Sequence, residues 1–414
     1  MATGRTGERG AALLVVMVAV AVLTALAVDL AYDTRVSLQI AANARDELRA
    51  SYLARSGVAL SRLVLSFQRD VDDAVPKLPG QNVSAPRPQL WRLVPVDSRL
   101  AGSLFGEGAP AAPPAGAGGE AGSAAALLPP GGFHAVMDDE GRKVNANLDS
   151  LGTGLLGPHV QALFQLVCDP RWDAVFERED ESGLRVSRQD LLLYMKDWVD
   201  EDTVGSALVA SFAPAGCVMD VPRNPFEPGF SDENFPYDRG EDRYRAKNAR
   251  MDSLAELYLV AGVTDAFMAA FGDALTVHLP KDSKRNVNEL DRSRLLELAR
   301  VAANPPNQPG LDDPAFAEQL QRAVTERTMG GILSLSPWEF GQILQGLKIS
   351  VNQSQLTEAS PQNPFTDRSS IFRIRAAGRS GDVVKTVEVV ARFEKLTQGQ
   401  VETTPGRLVH WREE

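Results

Sequence analysis

The densest chemistry in the chain is a run of carboxylates, Asp197, Asp200, Glu201 and Asp202, followed further on by Glu241 and Asp242. Such a group can supply hard oxygen ligands, of which Ca²⁺ takes about six to eight. The competing reading is a solvated helix end. Acidic side chains at a helix C-terminus are mildly unfavourable, however, and that conflict favours a counter-charge. The stretch "GTGLLG", with Gly152, Gly154 and Gly157, matches a dinucleotide-binding fingerprint by letter only. The fingerprint needs a buried strand before the glycines and a helix opening after them. Here polar "NANLDS" precedes and Pro158 follows, so a loop before a helix is expected. The histidines His134, His159, His278 and His410 are scattered, and none has a neighbour at metal-ligand spacing. With no G-x-S-x-G elbow or phosphate-binding loop either, no nucleophile, base and orienting group can be argued together, and no enzymatic activity is expected.

These residues sit in a chain of 414 residues, long enough for two or three domains. Hydrophobic residues make up 44% and charged residues 23%, which excludes a multi-span membrane protein. The net charge of −11 argues against a nucleic-acid partner, because nonspecific affinity for phosphates comes from Lys and Arg. Cys168 and Cys217 are too few for a disulfide framework or a zinc motif; a single bridge and two separate thiols both remain open.

Ala11 to Val28 is uncharged. As a helix it would span about 27 Å, close to the hydrocarbon thickness of a bilayer. Arg5 and Arg9 precede it and Asp29 and Asp33 follow, so the N-terminus is expected in the cytoplasm and the bulk of the chain outside. A cleaved secretory signal is the alternative, with Ala25-Leu26-Ala27 as the cut site. Against it, the helical pattern does not stop there. No proline occurs before Pro76, and an amphipathic stem follows, with Leu48, Tyr52, Leu60, Leu63, Val64 and Phe67 as its apolar side. One helix from Ala11 to near Arg69 would be about 88 Å long.

Downstream, Gln89–Pro95 reads as a short strand, and Gly106–Gly132 as a flexible loop rich in Gly, Ala and Pro. "FHAVMDDEGRKVNANL" reads as a hairpin with acidic turn residues. Helical periodicity dominates from Asp149 to Leu347, with helices over Pro158–Val167, Arg188–Val199, Leu254–Phe271 and Arg292–Val301. Gly262 marks a tight turn between helices. Strands return in "IFRIRAAG", "VVKTVEVVARFEK" and "RLVHWR". An internal echo, "KVNANLDSL" and "KRNVNELDRSRL", pairs asparagines ahead of the caps Asp149 and Asp291 and predicts two similar helical units. The hairpin "LVAGVT" also suits DNA-binding proteins, but Asp252, Glu256, Asp265 and Asp273 around it are acidic, which favours packing or protein contact.

A long greasy helix behind a short polar leader ending in Gly10 resembles the type IV pilin-like proteins. Eight stretches in order, "RGAALLVVM", "RDELRASYLARSGVALSRLVL", "DDEGRKVNANL", "DWVDED", "GEDRY", "DSLAELYLVAGVT", "RNVN" and "IFRIRA", resemble the K-type minor pseudopilins of the type II secretion system (general secretion pathway protein K). The stretches 106–132 and 203–237 look like insertions relative to that family, and Arg285 stands where an aliphatic residue is usual.

The resemblance implies an α+β fold: a transmembrane helix, then a pilin-like helix-plus-antiparallel-sheet domain interrupted by a large helical insertion with helix-hairpin-helix (SAM-like) units. The expected organisation is a prepilin leader over 1–10, the pilin helix over 11–75, the first part of the β domain over 76–147, the insertion over 148–347 and the rest of the β domain over 348–414. It further implies cleavage by a prepilin peptidase between Gly10 and Ala11, calcium binding, with Asp200, Asp202, Glu241 and Asp242 as the ligands expected here, and a place in the bacterial inner membrane with the C-terminal domain periplasmic. The implied partners are the I-type and J-type minor pseudopilins, the major pseudopilin and the inner-membrane secretion platform. Val15, fifth after the cut, replaces the glutamate usual in the family. In those proteins that glutamate pairs with a neighbour's N-terminal amine, so a subunit lacking it suits the end of a filament. The bulk of the insertion points the same way. An exported soluble binding protein released after Ala27 is the alternative.

Overall fold

The computed structural model describes residues 7–75, 85–105, 131–149, 156–176, 183, 185–209, 211–212, 219–220, 222, 224–238, 243–281, 283–305, 308–357, 360–393 and 405–414. A single uninterrupted helix runs from Gly7 to Ala74. Its first half is apolar and bare: Leu13, Val15, Leu23 and Leu30 are all more than 60% exposed. It is the one helix, among the described residues, long and apolar enough to cross a membrane.

The second half packs on a five-stranded antiparallel sheet, ordered Val96–Asp97, Phe133–Asp139, Ile371–Ser380, Val383–Arg392 and Arg407–Glu413. The side of the stem that faces the sheet differs from the apolar side expected. Leu60 and Val64 are buried, but Leu48, Tyr52 and Phe67 are more than half exposed, and the helix buries Ala50, Ala54, Gly57, Val58, Ser61 and Leu65 instead. The reason is a close approach. A Cβ on Gly378 would lie 2.1 Å from the Ala50 carbonyl oxygen, and one on Gly57 would lie 3.0 Å from the Phe133 ring. Small residues let the two backbones meet, while Phe133, Met137, Phe372, Ile374, Val387 and Val389 fill the space on either side.

Strand Phe133–Asp139 pairs directly with Ile371–Ser380, for example Met137 opposite Ile374, so the chain leaves the sheet after Asp139 and re-enters at Ile371. Two expectations fail here. Gln89–Pro95 is not a strand: Leu90–Leu93 forms a helical turn and pairing starts at Val96. Phe133–Leu148 is not a hairpin either. Asp139 accepts from the Gly141 N–H at 2.8 Å and caps a 3-10 turn, after which Val144–Asn145 pairs in parallel with Leu275–Thr276. The strand-like alternation on both sides of the turn is satisfied by separate partners far along the chain.

The insertion holds two apolar clusters, one from Val144 to Val277 and one from Val287 to Phe365. Helices Leu156–Val167, Arg188–Asp197 and Arg292–Ala302 stand where periodicity placed them. The expected helix Leu254–Phe271 is broken into a 3-10 segment, Leu254–Leu259, and a helix, Asp265–Phe271. Gly262 turns the chain at φ +85°, and a Cβ there would also strike the Val186 side chain.

The two units share a bonding scheme. In the first, the Asn145 side chain accepts from the Asn147 N–H, and the Asn147 amide accepts from Met251 N and donates to the carbonyls of Met251 and Val277. In the second, Asn286 accepts from Asn288 N, and the Asn288 amide accepts from Leu335 N and donates to the carbonyls of Leu335 and Asp367. A serine–glutamate capping box follows each time, Ser253 with Glu256 and Ser336 with Glu339. Asp291 caps its helix as expected, whereas Asp149 forms an ion pair with Arg250.

Cys168 is disulfide-bonded. Cys217, residues 106–130 of the glycine-rich loop, and Gly152 and Gly154 lie outside the described residues.

Candidate functional site

Three regions carry the candidate chemistry. At the N-terminus, Gly10 and Ala11 lie within the continuous helix, and Val15 is 66% exposed on its apolar half.

The second region is the joint between sheet and insertion, built by Asp138 to Lys143. Asp139 is buried and accepts from Asn286 Nδ2 at 2.8 Å and from the Ser369 hydroxyl. Glu140, fully buried, accepts from Arg373 Nε at 2.6 Å and pairs with Lys143 Nζ at 2.9 Å. Burial pushes the Glu140 carboxyl up, but the charges of Lys143 and Arg373 outweigh it and hold the pKa down at about 2. Arg142 reaches Asp138 at 2.6 Å and Glu289 at 3.4 Å. One turn thereby ties the central strand, the first helical unit and the start of the second. Its charges are spent on one another, which makes it a structural joint. Sequence reading took this segment for the acidic turn of a hairpin; the signal it passed over was Arg142 and Lys143, one glycine beyond three acids.

The third region is the acidic group. Asp197 accepts from the Ser206 N–H at 3.0 Å and 3.2 Å, Asp200 pairs with Lys196, and Asp202 accepts from Val204 N at 2.8 Å. Glu241 and Asp242 lie outside the described residues. Among the described residues no three His, Cys, Asp or Glu side chains are drawn together at metal-holding spacing. The structure adds a residue that sequence reading missed. Glu233 is 2% exposed, and neither carboxylate oxygen has a hydrogen-bond partner. Burial pushes its pKa up to about 7, opposed by the neighbouring Asn248 side chain and aided by the charges of Asp200, Asp197 and Asp202. Asp200 Oδ1 and Asn248 Oδ1 are likewise buried without a partner. Buried acceptors facing no donor are costly, and oxygen-only sets of this kind match the ligand preference of Ca²⁺, so the residues present fit that ion. No sequence motif marked Glu233, because it lies in the stretch that departs from the family pattern.

Three of the four histidines are accounted for by packing. His159 is buried with Nε2 3.1 Å from the Ser283 carbonyl, and burial lowers its pKa to about 4. His278 and His410 stack with ring centroids 5.5 Å apart.

The architecture is that of an α+β pilin-like protein: a long apolar N-terminal helix, an antiparallel sheet and a helical insertion. No protein-family model matches the chain, and neither does any curated protein. Among solved structures it is similar to the crystal structure of the GspK-GspI-GspJ complex from the enterotoxigenic Escherichia coli type 2 secretion system. That likeness covers 90% of this chain and 99% of the other, at 14% identity and a TM-score of 0.46, and is one of general outline.

Proposed function

We propose that this chain is a membrane-anchored minor pseudopilin of a type II secretion system. The observation that carries the reading is the helix Gly7–Ala74, bare and apolar in one half and packed in the other on a sheet that a helical insertion interrupts. A signal peptide discarded after Ala27 would cut this helix in its apolar half. In the proposed route a prepilin peptidase cuts between Gly10 and Ala11. The helix then enters the pseudopilus from the inner membrane, and the folded domain lies in the periplasm.

The subunit caps the pseudopilus tip and helps initiate assembly with I-type and J-type partners, the major pseudopilin and the secretion platform, for export of folded proteins. Val15 supports the tip position because it offers no carboxylate to a subunit above it. Calcium binds at the acidic group, where the partnerless oxygens of Glu233 and Asp200 would help hold it and the ion would supply the missing counter-charge. The protein has no catalytic role.

Intact mass and N-terminal sequence of the membrane-extracted protein, with and without the prepilin peptidase, test the route. A chain starting at Ala11 only when the peptidase is present is expected; a soluble chain starting at Val28 would overturn the proposal. Val15→Glu is expected to reduce the amount of exoprotein in the medium. Normal secretion with the variant distributed along the shaft would remove the argument from the missing carboxylate.

A further inference from the structure

The first helical unit also meets the sheet beyond the Asp138–Lys143 turn. Leu279, just past the strand Leu275–Thr276, packs with Ile371 and Val390, and Val409 lies alongside. Along the strand Val383–Arg392, Val389 and Ala391 join the cluster under the stem, so Val390 between them points to the opposite face. A cluster this small removes little apolar area from water, and the groups beside it weigh heavily in whether the contact stays shut.

Beside it stands a histidine pair. His278 is 8% exposed and lies against His410, with ring centroids 5.5 Å apart and ring planes 37° from parallel. His410 is opposite Val390 in the strand pairing, so the two rings bridge the contact from unit to sheet. The His278 backbone is held on both sides: its N–H donates to Thr276 Oγ1 at 3.3 Å, and its carbonyl accepts from Arg392 Nη2 at 3.0 Å. The charged and titratable groups facing His278 are Arg373, Arg392 and His410 from the sheet and Glu140 and Lys143 from the joint. Glu140 is the one carboxylate of that set, and it already holds Lys143 and Arg373. A proton added to the His278 ring therefore enters a buried, largely cationic setting whose only counter-charge is taken.

We infer that His278 and His410 form an acid-sensitive latch: neutral, the stacked rings keep the first helical unit against the sheet, and protonation of His278 releases that contact. Burial lowers the His278 pKa to about 4, opposed by Glu140 and aided by Arg373, His410 and Lys143. Opening the contact returns the ring to its ordinary value of 6.5, so the latch holds fully above pH 6.5 and weakens as pH falls toward 4. The latch is independent of the function proposed above.

The test uses the full chain in detergent carrying Val390→Cys, a position fully buried in the contact, and a dipyridyl disulfide that labels thiols at acid pH. Each labelling rate, divided by the rate for the denatured chain at the same pH, reads how often the contact opens. From pH 7 to pH 5 the corrected rate should rise on the order of twentyfold, the ratio set by a pKa of 6.5 open and about 4 closed. His278→Phe, which keeps a ring and removes the proton site, should flatten the rise to less than about twofold. His278→Gln, smaller and equally unable to titrate there, should do the same. Ala299→Cys in place of Val390→Cys reads opening of the second unit and should show no such rise. A flat profile with His278 intact, a rise that survives either His278 variant, or an equal rise at Ala299→Cys would each overturn the latch.

Discussion

Gly378→Ala is expected to destabilise the sheet domain by about 3 kcal/mol or more, at or beyond the upper end of ordinary overpacking. The added methyl would sit 2.1 Å from the Ala50 carbonyl oxygen and 2.5 Å from the Ala54 nitrogen, both in the backbone of a continuous helix. No side-chain rotation relieves such a clash. Helix and strand must separate, which opens the cluster of Phe372, Ile374, Val387 and Val389. Gly346→Ala is the control. A Cβ there meets nothing within 4 Å, so its melting temperature should stay the same or rise slightly. Equal melting of the two variants, by circular dichroism, would show that the close approach of helix and sheet is not under packing pressure.

Glu140→Gln is expected to cost about 3–5 kcal/mol, the range for removing one partner from a buried ion pair. The amide leaves Lys143, 4% exposed, without its carboxylate, and Arg373, 8% exposed, with Glu388 as its remaining counter-charge. The loss should appear as earlier detachment of the insertion from the sheet, read by hydrogen exchange at Ile371–Ser380.

A pH dependence follows. The Glu140 pKa is lowered from 4.5 to about 2 in the folded chain, so its contribution is present above pH 4.5 and is lost as pH falls toward 2. The parent protein should therefore lose more stability than Glu140→Gln across that interval. A parent and variant that lose stability in parallel would show that Glu140 is not held ionised.

Several parts of the fold were legible in the sequence. The helix Gly7–Ala74 is read from an uncharged run continued by a proline-free stem, and the strands Ile371–Ser380 and Val383–Arg392 from their alternation. The two asparagine pairs were read as a repeat, and the structure shows why that worked. Asn147 and Asn288 each bond the backbone at the entry to a capping box, so the pattern is tied to local geometry. Leu48, Tyr52 and Phe67 misled the reading of the stem, because size was taken for burial where the contact required small residues. The hairpin at Asp138–Gly141 misled it because alternation reports that a segment is a strand but not which strand it pairs with.

For the candidate site, the sequence found the Asp200 end of the acidic group and the structure supplied Glu233 and Asn248, 33 and 48 residues further on. A carboxylate becomes a candidate ligand when it is buried without a donor, and burial is a property of what the rest of the chain lays over it. The sequence by itself determined the properties that depend on neighbours along the chain: an apolar span, its polar flanks, the absence of charge at Val15, and helix caps. Only the tertiary structure decided the properties that depend on distant segments: the glycine contacts between helix and sheet, the buried ions around Glu140, and the partnerless oxygens of Glu233. Periodicity and capping act over a few residues, whereas desolvation and close packing are set by whichever segments the fold brings together.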